Sequence, residues 1–275
     1  MNRIDPAVDY LLGRSESETR RLILQARIYG PITRSFFEAA GIGPGMKVLD
    51  IGSGAGDVAL LLADRVGLRG SVTGVDLDAA ILDTARRRVA TAGWSNVRFL
   101  EGDARRLELD DDFDAVVGRW VLMYQPEPAQ VIRDFARRLH PGGIVAFQEN
   151  DLTAPPPSWP VTPLMRQVYE WSLPPTGMGV EIAMGPRLRQ TYLDAGLPEP
   201  ELVMAAPIGG GASWHGYAYV ADTVRSVLPI AEKRGMVKPG QIDPDTLADR
   251  LRDESVAMGA VHALPPLIGA WSRRT

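Results

Sequence analysis

The sequence predicts the α/β class, a doubly wound and mostly parallel sheet covered by helices on both faces, and three observations carry that prediction. Five apolar runs alternate with stretches whose apolar residues fall on one helical face. The first run, Lys47 to Ile51, breaks at once into three glycines at alternate positions, Gly52, Gly54 and Gly56. Acids then mark the ends of the first three runs in order, at Asp50, Asp76 and Asp103. Strands covered on both faces read as continuous apolar runs, and their ligands bind outside the carboxyl ends.

The elements follow in order. Leu22, Ala26 and Tyr29 fall at helical spacing, and Phe36 and Phe37 follow a break at Gly30-Pro31, so two helices are expected before the first strand. Asp57 to Val66 is the helix after the glycine turn, with Val58, Leu61, Leu62 and Ala63 apolar. Ser71 to Val75 is the second strand, and Asp78 caps a helix whose face is Ile81, Ala85 and Val89. Asn96 to Glu101 is the third strand and Phe113 to Val117 the fourth, which leads into Gly118-Arg119-Trp120. A helix with Ile132, Phe135, Ala136 and Leu139 on one face precedes the fifth strand, Ile144 to Gln148, which ends in Glu149-Asn150-Asp151.

After Asp151 two proline-rich stretches, Ala154 to Pro160 and Leu173 to Gly177, bracket a short helix and read as a lid or crossing loop. The alternation resumes with a helix near Pro186 to Ala195, a strand near Glu201 to Ala206 and a final strand, Leu267 to Trp271, which brings the strands to seven. Between the last two strands, Tyr217 to Lys233 and Asp243 to Met258 read as helices, with Pro244 suited to a first helical position. The expected organisation is an N-terminal helical cap over residues 1–40 and a ligand-binding half over 41–151. Residues 152–275 would supply the lid, the remaining core and a helical insertion, about 213–258, over the ligand edge.

With 45% apolar and 23% charged residues, the 275-residue chain has the composition of a globular protein. A formal net charge of −4 disfavours a basic nucleic-acid-binding surface. The absence of cysteine excludes disulfides, thiolate ligands and a cysteine nucleophile. No signal-peptide core and no apolar run of about 18 residues is present, so a cytoplasmic protein without membrane contact is expected.

Two ligand classes fit a glycine turn that opens a helix: dinucleotides and S-adenosylmethionine. A dinucleotide fingerprint is G-x-G-x-x-G, whereas Gly52, Gly54 and Gly56 follow G-x-G-x-G with Asp57 next. An acid at that point opposes a pyrophosphate and tolerates a ligand carrying an ammonium and a sulfonium. Asp76 can accept from ribose hydroxyls under either reading, and Asp103 can accept an adenine amino proton or close a turn.

Val48 to Gly56, Val72 to Asp78, Phe99 to Ala104, Phe113 to Gln125 and Leu139 to Gly143 together resemble the successive motifs of class I S-adenosylmethionine-dependent methyltransferases. The style is close to the small-molecule and quinone C-methyltransferase branch. The resemblance is specific from about Gly45 to Asp151. It implies a Rossmann-like sheet with helical cap insertions, S-adenosyl-L-methionine as cofactor and S-adenosyl-L-homocysteine as product. Gly52, Gly54 and Gly56 would hold the methionyl part with Asp50 nearby, Asp76 the ribose, Leu77 the adenine face, and Asp103 with Ala104 the adenine edge. Arg119 would offer its backbone carbonyl to the methionyl ammonium. Tyr29 would close the pocket or pack as a core aromatic.

Methyl transfer from a sulfonium needs no acid, because the leaving group departs neutral, and good orientation alone supplies roughly 7–11 kcal/mol. A base is needed only where the acceptor must lose a proton. His215 and Glu149 are the candidates for catalysis, His215 at the start of the helical insertion and Glu149 at the carboxyl end of the fifth strand; each also has a capping role open to it. His140 falls at the opposite sheet edge and His262 near the final strand. Arg225 is expected to pair with an acid or to hold an anionic substrate.

The Asn/Asp-Pro-Pro-aromatic signature of nucleic-acid amino methylation and the aspartate of a catechol-type metal site are both absent after the fourth strand, where Gly118-Arg119-Trp120-Val121 stands. No metal site is expected. Trp120, Tyr124, Trp159, Trp171, Trp214 and Tyr217 suit an apolar or aromatic acceptor, with O- and C-methylation both open. The partners expected are a small-molecule acceptor and no nucleic acid, and a homodimer is compatible with the sequence. A cofactor-binding protein of the same fold with a non-methylating role, and then an NAD-dependent oxidoreductase, are the alternatives.

Overall fold

The computed structural model describes residues 16–107, 109, 112–172 and 179–275; the second proline-rich stretch, 173–177, lies outside them. The elements run α1 (Glu16–Ala39), β1 (Lys47–Ile51), α2 (Asp57–Val66), β2 (Ser71–Asp76), α3 (Ala79–Thr91), β3 (Val97–Glu101) and β4 (Phe113–Arg119). A short 3-10 turn (Leu122–Tyr124) leads to α4 (Pro128–Ala136), β5 (Leu139–Asn150), β6 (Ser158–Trp159), α5 (Pro163–Ser172), α6 (Met184–Asp194), β7 (Glu201–Ala205) and β8 (Ile208–Gly210). Then come α7 (Gly216–Lys233), α8 (Pro244–Met258), β9 (Val261–Ala263) and β10 (Leu267–Arg273).

The chain divides into two compact units. One comprises Tyr29–Thr153, Val180–Ala205 and Pro266–Thr275 and contains a seven-stranded sheet in the order β3-β2-β1-β4-β5-β10-β7. β1 pairs in parallel with β2 on one side and β4 on the other, so the strand order reverses direction between β1 and β4. A doubly wound sheet opens its ligand crevice at such a switch point. β10 runs antiparallel between β5 and β7 and pairs with β5 from Leu267 opposite Asn150 to Arg273 opposite Ile144. The predicted class and strand count are those observed.

Apolar burial accounts for this unit. Val48, Val72, Ala115 and Val117 from the sheet pack with Val58, Leu62 and Val66 of α2, Leu82 and Val89 of α3, and Phe36 and Phe37 of α1. On α6, Tyr192 is fully buried; its hydroxyl accepts from Phe147 N–H at 3.1 Å and contacts Ala270 O at 2.7 Å, which ties the helix to both β5 and β10.

The expected break at Gly30-Pro31 does not occur: α1 is one helix with Pro31 inside it. An interior proline costs a helix about 3 kcal/mol. Tyr29, Thr33, Phe36, Phe37 and Ala40 recur on one face and are all buried, and burying side chains of this size outweighs that cost.

The other unit comprises residues up to Ile28, Ala154–Gly179 and Ala206–Pro265. It contains α5, α7 and α8 and a three-stranded sheet in the order β6-β9-β8, which has no counterpart in the sequence expectations. Asp243 caps α8 by accepting from Asp245 N–H at 3.0 Å, and Glu254 accepts from Leu164 N–H at the start of α5. Arg225 pairs with Asp222 and Asp245, which settles it as a partner of acids. Among the described residues no helix is long and apolar enough to cross a membrane.

Candidate functional site: the glycine turn between β1 and α2

The turn after β1 is built from backbone that only glycine adopts without cost. Gly52, Gly54 and Gly56 have φ of 66°, 51° and 82°, in the left-handed region. A Cβ on Gly52 would lie 2.7 Å from Val121 Cγ2, so the turn after β1 packs directly on the turn after β4. At Gly54 a Cβ would meet no atom within 4 Å, which leaves open space beside the turn.

The acids gather here. Asp76, at the end of β2, accepts from Gly54 N–H at 2.9 Å through Oδ2 and from Asp78 N–H at 3.1 Å through Oδ1. Its pKa is raised, mainly by burial. Asp50, inside β1, is buried, and neither of its carboxylate oxygens has a hydrogen-bond partner; Ser53 Oγ is likewise buried and unpartnered. Burial pushes the Asp50 carboxyl well above the usual carboxylate range, against the pull of the nearby Arg119 guanidinium. A buried carboxylate without a partner is expensive, and its cost is removed by a ligand that brings positive charge or N–H donors.

Asp57 does not act as the sequence suggested. Its carboxylate is buried and paired with the Arg88 guanidinium, which also donates to Ala55 O at 2.6 Å. The acid that opens α2 is therefore already neutralised, and it presents no free negative charge to discriminate against a pyrophosphate.

Further along the same edge, Leu77 is 67% exposed just past β2. Asp103 follows β3 and closes a local turn: it accepts from Arg105 N–H at 3.0 Å and, at 3.1 and 3.0 Å, from the Arg105 guanidinium. Burial opposes its ionisation, but the bonds to Arg105 outweigh this and lower its pKa. Ala104 beside it is buried. Arg119, at the end of β4, donates to Thr33 Oγ1 at 3.0 Å and lies 4.6 Å from the Trp120 ring. Tyr29 is fully buried and edge-on to Trp120, with ring centroids 5.1 Å apart.

Glu149, a candidate either for catalysis or for capping, is engaged by backbone N–H groups. It is fully buried, and Oε1 accepts from Val121 and Leu122 N–H at 2.9 and 2.7 Å while Oε2 faces Met123 N–H at 3.4 Å. Desolvation raises its pKa to about 8, with those three backbone bonds opposing the shift. Its carboxyl caps the 3-10 turn after β4 and so fixes the backbone that carries Arg119 and Trp120.

Trp120 is the site residue that sequence reasoning left among the general aromatics. Its φ of 58° is rare for a non-glycine residue, and its N–H donates to Gln148 O at 2.9 Å. Its indole Nε1 is buried and has no hydrogen-bond partner. Strain of this kind, about 1–3 kcal/mol, persists only where the surroundings enforce it, and here Glu149, Gln148 and Tyr29 do so. Nothing in the residue type signalled it. His215 lies in the other unit, exposed, at the N-cap position of α7 and with no side-chain capping bond.

Comparison with known proteins agrees with this geometry. Residues 42–173 match a family model described as a methyltransferase domain. The arsenite methyltransferase of Halobacterium salinarum is 40% identical over 119 residues, which cover 43% of this chain and 30% of that protein. A demethylmenaquinone methyltransferase of Staphylococcus aureus is 34% identical over 130 residues, 47% of this chain and 50% of that one. The chain thus spans half or less of the length of these relatives. A solved S-adenosylmethionine-dependent methyltransferase from Aquifex aeolicus shares the fold with a TM-score of 0.54 at 19% identity, over 69% of this chain and 93% of that one. The switch-point turn, the strand order and these matches agree in one respect: residues 42–173 are similar to a methyltransferase domain.

Proposed function

We propose that this protein transfers a methyl group from S-adenosyl-L-methionine to an oxygen or carbon of a small organic acceptor, releasing S-adenosyl-L-homocysteine. The observation that carries the reading is Asp50, a buried carboxylate without a partner at a glycine turn that has open space beside Gly54. When bound, the cofactor supplies a methyl group on a positively charged sulfur, which leaves as a neutral thioether.

The chain's own groups bind and orient. Asp50 and Ser53 give the cationic methionyl end acceptors that the protein itself leaves unfilled. Asp76, already held by Gly54 and Asp78, keeps lone pairs free for ribose hydroxyls. Leu77 covers one adenine face, and Asp103 with Ala104 borders the adenine edge, where Asp103 would share its carboxylate with Arg105. The Arg119 carbonyl, on backbone pinned by Glu149, faces the methionyl ammonium. His215 is the side chain proposed to contact the acceptor, and a cytoplasmic location belongs to the same reading.

Calorimetric titration with S-adenosylmethionine, S-adenosylhomocysteine and NAD tests it. Binding of the two adenosyl ligands but not NAD supports the proposal and justifies a screen of acceptors for the mass gain of one methyl. Binding of NAD alone, or of none of the three, refutes it.

A further inference from the structure

The unit that holds α5, α7 and α8 contains an open cavity of about 450 Å³, lined by residues that the glycine-turn site does not use. It lies where the first turns of α1 meet α7 and the start of α8. Helical spacing assembles its walls. Ala218, Ala221, Asp222 and Arg225 fall at i, i+3, i+4 and i+7 on α7, and Ile23 and Arg27 stand one turn apart on α1. The Tyr219 hydroxyl donates to Gln25 Oε1 at 3.4 Å, which ties α1 to α7 beside the cavity.

Residue size explains why the space is open. Ala218 and Ala221 of α7 and Ala248 of α8 end at Cβ, too short to close the gap between three helices. A packed interior leaves few voids larger than a water, whereas this volume falls in the range of small-molecule sites, about 300–1,000 Å³.

The lining is apolar except for four charged side chains. Arg225 serves two acids at once: Nη1 donates to Asp245 Oδ1 at 2.5 Å, and Nε lies 3.7 Å from Asp222 Oδ1. Its Nη2 donates to Pro244 O at 3.1 Å. Arg27 differs. It is exposed and has no hydrogen bond or ion pair among the described residues. The charge that the lining leaves without a partner is therefore a cation, at the mouth of an otherwise apolar space.

A guanidinium offers paired N–H donors that match the plane of a carboxylate. The two acids nearby oppose an anion of higher charge, because each added negative charge is repelled by both. Ile23, Leu24 and the alanines would cover an apolar body.

We propose that this cavity binds a small amphipathic monocarboxylate, with Arg27 holding the carboxylate and the alanine-lined walls holding the apolar part. The inference is independent of the methyl-transfer reading, whose residues lie in the other unit.

The test is equilibrium dialysis of the full chain against 2-naphthoate, with 2-naphthamide as a neutral control of the same shape and 2-naphthyl phosphate as the more highly charged one. Wild type should bind the carboxylate at least about threefold tighter than the amide, the scale of a partly exposed ion pair. The phosphate should bind no tighter than the carboxylate. Arg27→Gln, an exposed substitution that leaves the packing intact, should lower carboxylate binding to the level of the amide and leave the amide unchanged. Ala248→Leu, which extends a side chain into the cavity, should weaken both.

No binding of naphthoate, equal binding of carboxylate and amide by wild type, or tighter binding of the phosphate would each overturn the proposal. So would an Arg27→Gln variant that keeps the wild-type preference, or a folded Ala248→Leu variant that binds both probes as wild type does. The arginine variant decides the matter whether or not the leucine variant folds.

Discussion

Removing the Glu149 carboxyl should expose how much of the site depends on one buried acid. Its Oε1 accepts from the backbone N–H groups of Val121 and Leu122. Glu149→Ala strands both donors, each at a cost of about 1–3 kcal/mol, so the variant should lose about 2–6 kcal/mol of stability. Glu149→Gln keeps an oxygen at that position and should cost less than about 1 kcal/mol near pH 5.5, where the wild-type carboxyl is itself protonated.

The pH dependence has a definite sign. The folded pKa is raised from 4.5 to about 8, so between these values the folded chain keeps a proton that the unfolded chain has lost. This group's contribution to stability therefore falls by about 1.4 kcal/mol per pH unit as pH rises through that window, and glutamine has no such dependence. Relative to wild type, Glu149→Gln should gain about 3 kcal/mol between pH 5.5 and pH 8. Urea unfolding at the two pH values, followed by tryptophan fluorescence and compared at constant slope, reads this directly. A glutamine variant as unstable as the alanine variant at the lower pH, or one whose difference from wild type does not change with pH, refutes the reasoning.

Asp76→Ala should weaken S-adenosylmethionine binding by about 1–3 kcal/mol through lost bonds to a carboxylate, read by calorimetry; unchanged affinity removes the ribose assignment. Because burial holds the Asp50 carboxyl protonated above its ordinary range, a cationic ligand should expel a proton and bind more tightly as pH rises. Calorimetry in buffers of different ionisation enthalpy should show that release in wild type and not in Asp50→Asn, and a buffer-independent wild-type heat would count against it. His215→Ala should lower turnover on the true acceptor while leaving cofactor affinity unchanged, and unaltered turnover would take His215 out of the mechanism. Gly52→Ala should destabilise the chain by at least about 1 kcal/mol, because it combines a left-handed backbone with a 2.7 Å approach to Val121; a thermal melt equal to wild type would contradict the packing of the two turns.

The sheet was legible because its strands announce themselves in three ways: continuous apolar runs, glycine at the first turn and acids at the carboxyl ends. Asp76 and the three glycines fall where that pattern places them. What escaped depends on partners distant in sequence. Asp57 looks like a free acid until α3 supplies Arg88, and Glu149 looks like a base until the chain after β4 turns its N–H groups toward it. Pro31 reads as a break because a proline's local cost is visible in sequence, while the buried face that outweighs it belongs to tertiary packing. β6, β8 and β9 have only two or three residues each, too few for a period to register.

The antiparallel pairing of β10 with β5 bears on how this protein can be divided. The segment recognised by homology ends at residue 173, whereas β10 begins at Leu267 and pairs with every residue of β5 from Ile144 to Asn150. A fragment trimmed to the homology boundaries would have five of the seven strands and would turn a central, largely buried strand into a raw edge. Such an edge offers a row of unsatisfied amides and carbonyls to the next chain. Expressed alone, that fragment should self-associate along β5, and any attempt to transplant this domain has to carry the final strand with it.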